Sequence, residues 1–410
     1  MLEKIDRENT YYLYSNRDFQ LPFKNSRWVK RVRPAPSFAP GTFWLQTTAR
    51  SMAIHDGIDV FWGPNQALPF RLPSGTGKVL TVHDMVWRRF PDTMAAYTRA
   101  VHTIFHERWI READAIIAIS QTTAQDLQAL LSVPVSKVRV VHHGVRSEYR
   151  VRDRKDAARY IARTFGTSDD YVLSVGTIQP RKNLVTLIEA LSILHRNGRS
   201  LQLLIAGASG WKTSEIYVTV RRCGLTEREV NFLGHVSEED LPLIYCGARL
   251  FVFPSLYEGF GLPLVEAMAS GVPVVASNAP PMPEILEDAA ILVSPRSPQE
   301  FADAIGRVAQ DCDLRRTLVA RGLRRASHFR WDASASQTLN LFEELHHRGQ
   351  SCDFQSPRLH SQKTNTSLRG PRSMKEKLKS ACPRARCELT PCFENSVTAP
   401  CNHWTTLGCQ

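Results

Sequence analysis

The chain has 410 residues, 43% of them apolar, and a formal charge of +12. That length favours two domains, each able to bury its own core, and the composition argues against a disordered chain. No apolar run approaches the roughly 18 residues of a membrane span, and "MLEKIDRENTYYLYS" has no basic-then-apolar leader pattern, so a cytoplasmic home is expected.

In chain order, the start reads as the end of a helix. Apolar runs with strand character follow: "TYYLYS", "IDVFWGP", "KVLTVHD", "AIIAIS" and "KVRVVHHG", with helical stretches such as 95 to 112 between them. A doubly wound domain normally opens with a strand and a glycine-rich turn, and that opening β-α unit is expected to be missing here. Residues 144 to 168 are polar and basic, and they read as the link between domains. From Tyr171 to Pro295 the alternation is regular: "YVLSVG", "LQLLIAG", "VNFLG", "RLFVFPS", "VPVVAS" and "AILVSP" are separated by helical stretches. Short buried strands alternating with helices imply a parallel sheet covered on both faces. Residues 298 to 348 read as helical, with "WDASASQTLNLFEELHHR" expected to pack back across the domain interface. The expected domains are therefore 1–150, a linker at 151–168, and 169–348. Two such domains make a cleft between the carboxyl ends of their strands, where ligands are expected.

The segment from 349 to 410 stands apart. Beyond Gln350 it holds nine Lys or Arg against four Asp or Glu, and six of the nine cysteines (Cys352, Cys382, Cys387, Cys392, Cys401 and Cys409). No pair has the two-residue spacing of a zinc knuckle, so no metal site is expected there. It reads as a disordered appendage or an out-of-frame extension.

Two stretches carry the chemistry. In "SVGTIQPRKNLVTLIEAL" a strand runs into a loop and a helix begins near Asn183, which puts Arg181 and Lys182 at the positive end of a helix dipole. Two cations there make sense if an anion binds between them and the free helix amides, Arg as a bidentate fork and Lys as a compact charge. The bland alternative is surface basic residues beside a helix start. In "LFVFPSLYEGFGLPLVEAMASG", Glu258 follows a strand, Gly259 and Gly261 let the backbone approach a ligand, and Pro263 suits the first helical turn. Glu266 falls about one turn inside the helix, and a carboxylate there suits a vicinal diol such as a ribose. Here the alternative is a turn and a helix with one solvated Glu.

Other candidates are weaker. "GFGLPL" lacks the third glycine of a dinucleotide fingerprint, and "SGTGKVLT" (74 to 81) has no Ser or Thr after its Lys and precedes its strand, so neither is a phosphate loop. His83 and Asp84 lie just past a strand end, at the expected cleft, as do His142, His143 and Gly144. Ser120 reads as a helix N-cap. No Gly-x-Ser-x-Gly elbow, His-Glu-x-x-His helix or Asp-x-Asp pair is present, so metal-independent chemistry is expected.

In their order, "GTIQPRKN", "FLGHVSEEDLPLIYCGARLFVFPSLYEGFGLPLVEAMASGVPVVAS" and "PEIL" resemble the family-4 retaining glycosyltransferases, which have the two-domain GT-B fold. The resemblance runs from about residue 8 to 348, and "HDMVWRRFPDTM" is most similar to bacterial mannosyltransferases of surface polysaccharides. It implies that Arg181 and Lys182 grip the donor diphosphate, Glu266 the ribose and Glu258 the sugar hydroxyls. Gly176 and the backbone of Gly259, Phe260, Gly261 and Leu262 would complete the donor pocket, Gly234, His235 and Val236 would flank the base, and His83 would lie beside the anomeric centre. No cofactor or metal is implied beyond the donor, expected to be GDP-mannose, and the acceptor is expected to be a lipid-linked or polysaccharide glycan. The departures are the missing opening unit and the extra segment after Gln350.

Two rival readings stay open: a nucleotide-binding remnant without turnover, and an isomerase of GT-B fold acting on a nucleotide sugar. "KNSRWVKRVR" (24 to 33) and "HTIFHERWIRE" (102 to 112) suggest peripheral docking on an anionic membrane at its inner face, with an ordinary solvated face as the alternative. No motif favours nucleic acid.

Overall fold

The computed structural model describes residues 1–35 and 41–353, and the expectations for the segment beyond 353 lie outside it. The C-terminal half is a six-stranded sheet of β7 (Tyr171–Val175), β8 (Gln202–Ala206), β9 (Val230–Gly234), β10 (Leu250–Phe253), β11 (Val274–Ser277) and β12 (Ala290–Val293). Its order is β12-β11-β10-β7-β8-β9, and every pairing is parallel. Side chains alternate between two cores, as period-2 strands buried on both faces require. Leu173, Leu204, Phe251 and Phe253 enter one core, while Val172, Leu203, Ile205 and Val252 enter the other. The chain leaves β7 toward one side of the sheet and returns through β10 on the other. The reversal between these neighbours is the topological switch point at which ligands of such sheets bind.

The N-terminal half holds β1 (Tyr11–Ser15), β2 (Trp28–Val32), β3 (Val60–Gly63), β4 (Gly77–Val82), β5 (Ala115–Ala118) and β6 (Val138–Val140). These strands form two parallel sheets, a β1-β2 pair and a four-stranded β3-β4-β5-β6 sheet, with no strand joining β1 to β3 among the described residues. Every strand expected from the sequence is present. The added one, β2, lies inside the basic "KNSRWVKRVR" stretch. There Trp28 stacks on Tyr11 at 4.3 Å, Lys30 pairs with Asp18 at 2.5 Å and Arg31 with Asp56 at 3.0 Å. In "HTIFHERWIRE" the His106, Trp109 and Ile110 side chains are buried, while Arg108 and Arg111 pair with Glu112 and Glu107 along the helix.

Two helices depart from the simple domain boundaries. The stretch read as a linker carries the helix Arg154–Phe165, whose Ala158 and Ile161 lie in the C-terminal core beside Tyr171 and Tyr245. An N-cap carboxylate at Asp153, accepting from the Asp156 amide at 2.9 Å, starts it. The final helix, Trp331–Asp353, crosses back to the N-terminal half, as the sequence suggests. Its Leu341 and Leu345 cover Val79, Ala115 and Ile117 on the outer face of the β3–β6 sheet.

Candidate functional site

The loops after β7 and β10 meet at the switch point, which brings together residues 76 positions apart. After β7 the chain makes a short turn, Pro180–Lys182, and Asn183 then takes a left-handed conformation (φ 56°) before the helix Leu184–Arg196. Asn tolerates that region better than most residues. Its amide ties the loop down by donating to the carbonyls of Pro254 at 3.0 Å and Pro295 at 2.7 Å. Arg181 and Lys182 are thereby aimed at the β10 loop. The guanidinium Nη1 lies 2.6 Å from Glu258 Oε2, and Lys182 Nζ lies 2.7 Å from Glu258 Oε1. Arg181 also donates to the Tyr257 carbonyl at 2.6 Å.

All three charged side chains are nearly buried, with 10 to 13% exposure. Burial pushes the Glu258 carboxyl up, but Lys182 and Arg181 outweigh that and hold it down at about 2. Burial of the Lys182 ammonium favours its neutral form, against the pull of Glu258. Asp84, past the end of β4, adds a further negative charge facing both cations. The sequence pattern places Glu258 in the loop after β10, and the structure pairs it with the cations of the other motif.

Gly176 and Gly261 supply the backbone freedom. At φ 146°, Gly176 packs under Lys182, and a Cβ there would sit 2.9 Å from Lys182 Cε. Gly261, at φ 99°, turns the chain into the helix Leu262–Ala269, with Pro263 in its first turn. The N-termini of this helix and of Leu184–Arg196 open beside the cation pair, where their free amides favour an anion.

Glu266, one turn inside, accepts a hydrogen bond from Tyr245 Oη at 2.9 Å, with Tyr149 and Arg146 nearby. Burial raises its pKa against those hydrogen bonds and the Arg146 charge. Tyr149 lies in the polar, basic 144–168 stretch and Tyr245 in the helix Leu241–Gly247; neither has a local sequence signal, and tertiary packing brings both to Glu266. Gly234 ends β9, two strands from β7, and His235 and Val236 follow it: His235 is exposed and Val236 buried. The Gly207 amide donates to the Gly234 carbonyl at 2.8 Å, so the ends of β7, β8 and β9 form one row.

The N-terminal half meets this loop closely. A Cβ at Gly259 would fall 1.8 Å from the His83 carbonyl oxygen, so only a glycine fits against it. The His83 ring contacts the Pro64 carbonyl at 2.8 Å and stacks with His143 at 5.8 Å. Phe260 packs its ring on His143 at 5.4 Å and Phe329 at 5.4 Å. Burial, with His83 and His142 beside it, lowers His143 to about 3 and keeps it neutral. Two contacts across the cleft had no sequence signal. Tyr257 donates to Asp126 at 2.7 Å, and Glu284 accepts from the Gln121 amide at 2.7 Å and the Thr122 amide at 2.9 Å. Ser120, as expected, caps that same helix by accepting from the Thr123 amide. Among the described residues, no group of three or more His, Cys, Asp or Glu could hold a metal ion, and no helix is long and apolar enough to cross a membrane.

Comparison with known proteins matches residues 162–325 to the group 1 glycosyl transferases and residues 7–149 to Glycosyltransferase Family 4. The O-antigen chain mannosyltransferase B of Escherichia coli is 32% identical over 324 residues, which covers 78% of this chain and 84% of that one. The chain belongs to the family-4 glycosyltransferases. Sucrose-phosphate synthase of Thermosynechococcus elongatus superposes on it with a TM-score of 0.65 at 22% identity, covering 82% of this chain and 89% of that one. Anabaena HepE in complex with UDP and glucose gives 0.62 at 20% identity, covering 77% and 86%. These neighbours carry the GT-B fold expected from the sequence.

Proposed function

We propose that this glycosyltransferase moves mannose from GDP-mannose to a growing lipid-linked or polysaccharide glycan, with retention of the anomeric configuration and without a metal. The observation that supports this reading most is the buried Arg181–Lys182 pair at the switch point, flanked by two helix N-termini. Mannose and a polysaccharide acceptor are inferred from the O-antigen mannosyltransferase likeness, and a nucleoside diphosphate from the UDP bound by the HepE neighbour.

In the proposed reaction the bond between the anomeric carbon and the β-phosphate oxygen breaks, and a bond from the acceptor hydroxyl oxygen to that carbon forms. The acceptor proton is released, and the nucleoside diphosphate leaves. Arg181, Lys182 and the amides opening the helix at Leu262 would stabilise the charge that develops on the leaving phosphate. Glu266 would hold the ribose, the backbone of Gly259 to Leu262 with Gly176 would line the phosphates and sugar, and Gly234 to Val236 would flank the base. His83 would face the anomeric carbon across the Gly259 contact. Incubation of the full chain with labelled GDP-mannose and bacterial membrane extract should give a labelled glycan with the α-anomer retained. Absence of transfer from any common nucleotide sugar would refute the reading.

A second reading, nucleotide binding without turnover, is favoured by the separation of the β1-β2 pair from the β3–β6 sheet. It predicts bound nucleotide and no labelled glycan. Peripheral docking on an anionic membrane draws on Ile104, which is 65% exposed. Co-sedimentation with anionic liposomes tests it, and protein left in the supernatant would remove it.

A further inference from the structure

The two cations of the site are not free to meet a diphosphate at full strength. Glu258 touches both, at 2.6 and 2.7 Å, and Asp84 faces both from the N-terminal half. The two positive charges are thus opposed by Glu258 in direct contact and by the weaker charge of Asp84, in a nearly buried site where charges interact more strongly than in water. Without the Glu258 carboxylate the two cations would hold an anion more tightly. We propose that Glu258 makes the site discriminate by charge, disfavouring the free nucleoside diphosphate against the intact nucleotide sugar and so speeding product release.

The chemistry of the two ligands gives this discrimination a handle. In a nucleotide sugar each phosphate is doubly substituted, through one ester and the shared anhydride, and carries one negative charge. Once the sugar leaves, the terminal phosphate keeps only the anhydride and its second proton dissociates near pH 6, so the product carries about one charge more at neutral pH. Any ligand held by Arg181 and Lys182 shares them with Glu258, because the same nitrogen atoms that would bind phosphate contact its carboxylate. The extra charge of the product therefore appears beside a carboxylate that cannot be neutralised by taking up a proton, since its two cationic partners keep it ionised far below neutral pH. The donor carries no such extra charge. Glu258 is thereby a specificity-determining residue in addition to any contact it makes with the sugar.

The inference rests on the reading of the Arg181–Lys182 pair as a diphosphate site, and the test separates the two. Calorimetry on the full chain would compare GDP with its β-methyl ester, which has the charge of the donor and no sugar, in the wild type and in E258Q. The expected result is a wild type that binds the ester at least as tightly as GDP. In E258Q the ratio should swing toward GDP by about 10- to 100-fold, while mannose transfer falls. An unchanged ratio in a folded E258Q would overturn the charge role and leave the diphosphate site standing. Failure of GDP, UDP and the ester alike to bind the wild type would overturn both. If E258Q does not fold, the wild-type ratio decides: GDP bound tenfold more tightly than the ester would contradict the proposal.

Discussion

Glu284 offers the sharpest test of how the two halves are held together. Its carboxylate accepts from the Gln121 amide at 2.7 Å, the Thr122 amide at 2.9 Å, Thr122 Oγ1 at 3.1 Å and His142 Nε2 at 3.0 Å. It acts as a borrowed cap on the helix Gln121–Leu131, supplied by the other half of the molecule. Burial pushes its carboxyl up, but the bonds from His142, Gln121 and Thr122 outweigh that and hold its pKa below the usual range. Hydrogen bonds to a charged acceptor contribute about 1.5–3 kcal/mol when buried, and a lost cap costs about 1 kcal/mol. Because Gln121 is exposed and water can replace part of the lost bonding, the E284A substitution should destabilise the protein by about 2–4 kcal/mol in total. E284Q keeps one acceptor oxygen and should lose about half of that. Urea denaturation at pH 7 gives the numbers. The sign of the pH dependence follows from the depressed pKa: this stabilisation is present above the unfolded carboxyl pKa and is lost as the pH falls through the folded one. A cost for E284A below about 0.5 kcal/mol, the range of ordinary surface changes, would refute the reasoning.

Three further outcomes are expected. K182M should cut glycosyl transfer by about 100- to 1,000-fold, the usual cost of one lost charge-stabilising donor, and should also lower the melting temperature because it leaves buried Glu258 with one cationic partner; steady-state rates and thermal melts check it. G259A forces a Cβ to within 1.8 Å of the His83 carbonyl, so a loss of several kcal/mol and of activity is expected in thermal melts and transfer assays. His106 and His143 are each lowered to about 3, mainly by burial, so the unfolded chain binds protons that the folded chain refuses between about pH 3 and 6.5. Stability should therefore fall from pH 6.5 downward by about 1.4 kcal/mol per pH unit for each of them, and H106F should remove one share of that slope in denaturation curves from pH 5 to 6.

The sequence carried the fold because parallel strands buried on both faces leave continuous apolar runs such as "YVLSV" and "LFVF". β2 escaped notice because Lys30 and Arg31 break the apolar pattern, and their partners Asp18 and Asp56 are distant in sequence. The site was legible as two separate motifs, since each strand-loop-helix junction has its own local signature in Arg181-Lys182 and in Glu258-Gly259. That they close into one ion-paired cluster depends on β7 and β10 being neighbours, which local sequence does not encode. The tyrosines at Glu266 and the Glu284 cap are tertiary for the same reason. A helix cap contributed from 162 residues away leaves no local pattern.

A structure of the full chain with bound GDP tests the central claim most directly. The diphosphate oxygens are predicted to lie about 3 Å from the Arg181 and Lys182 side-chain nitrogens, at the mouth of the helix that opens at Leu262, with the ribose at Glu266. GDP bound with its phosphates away from that cation pair would contradict the account.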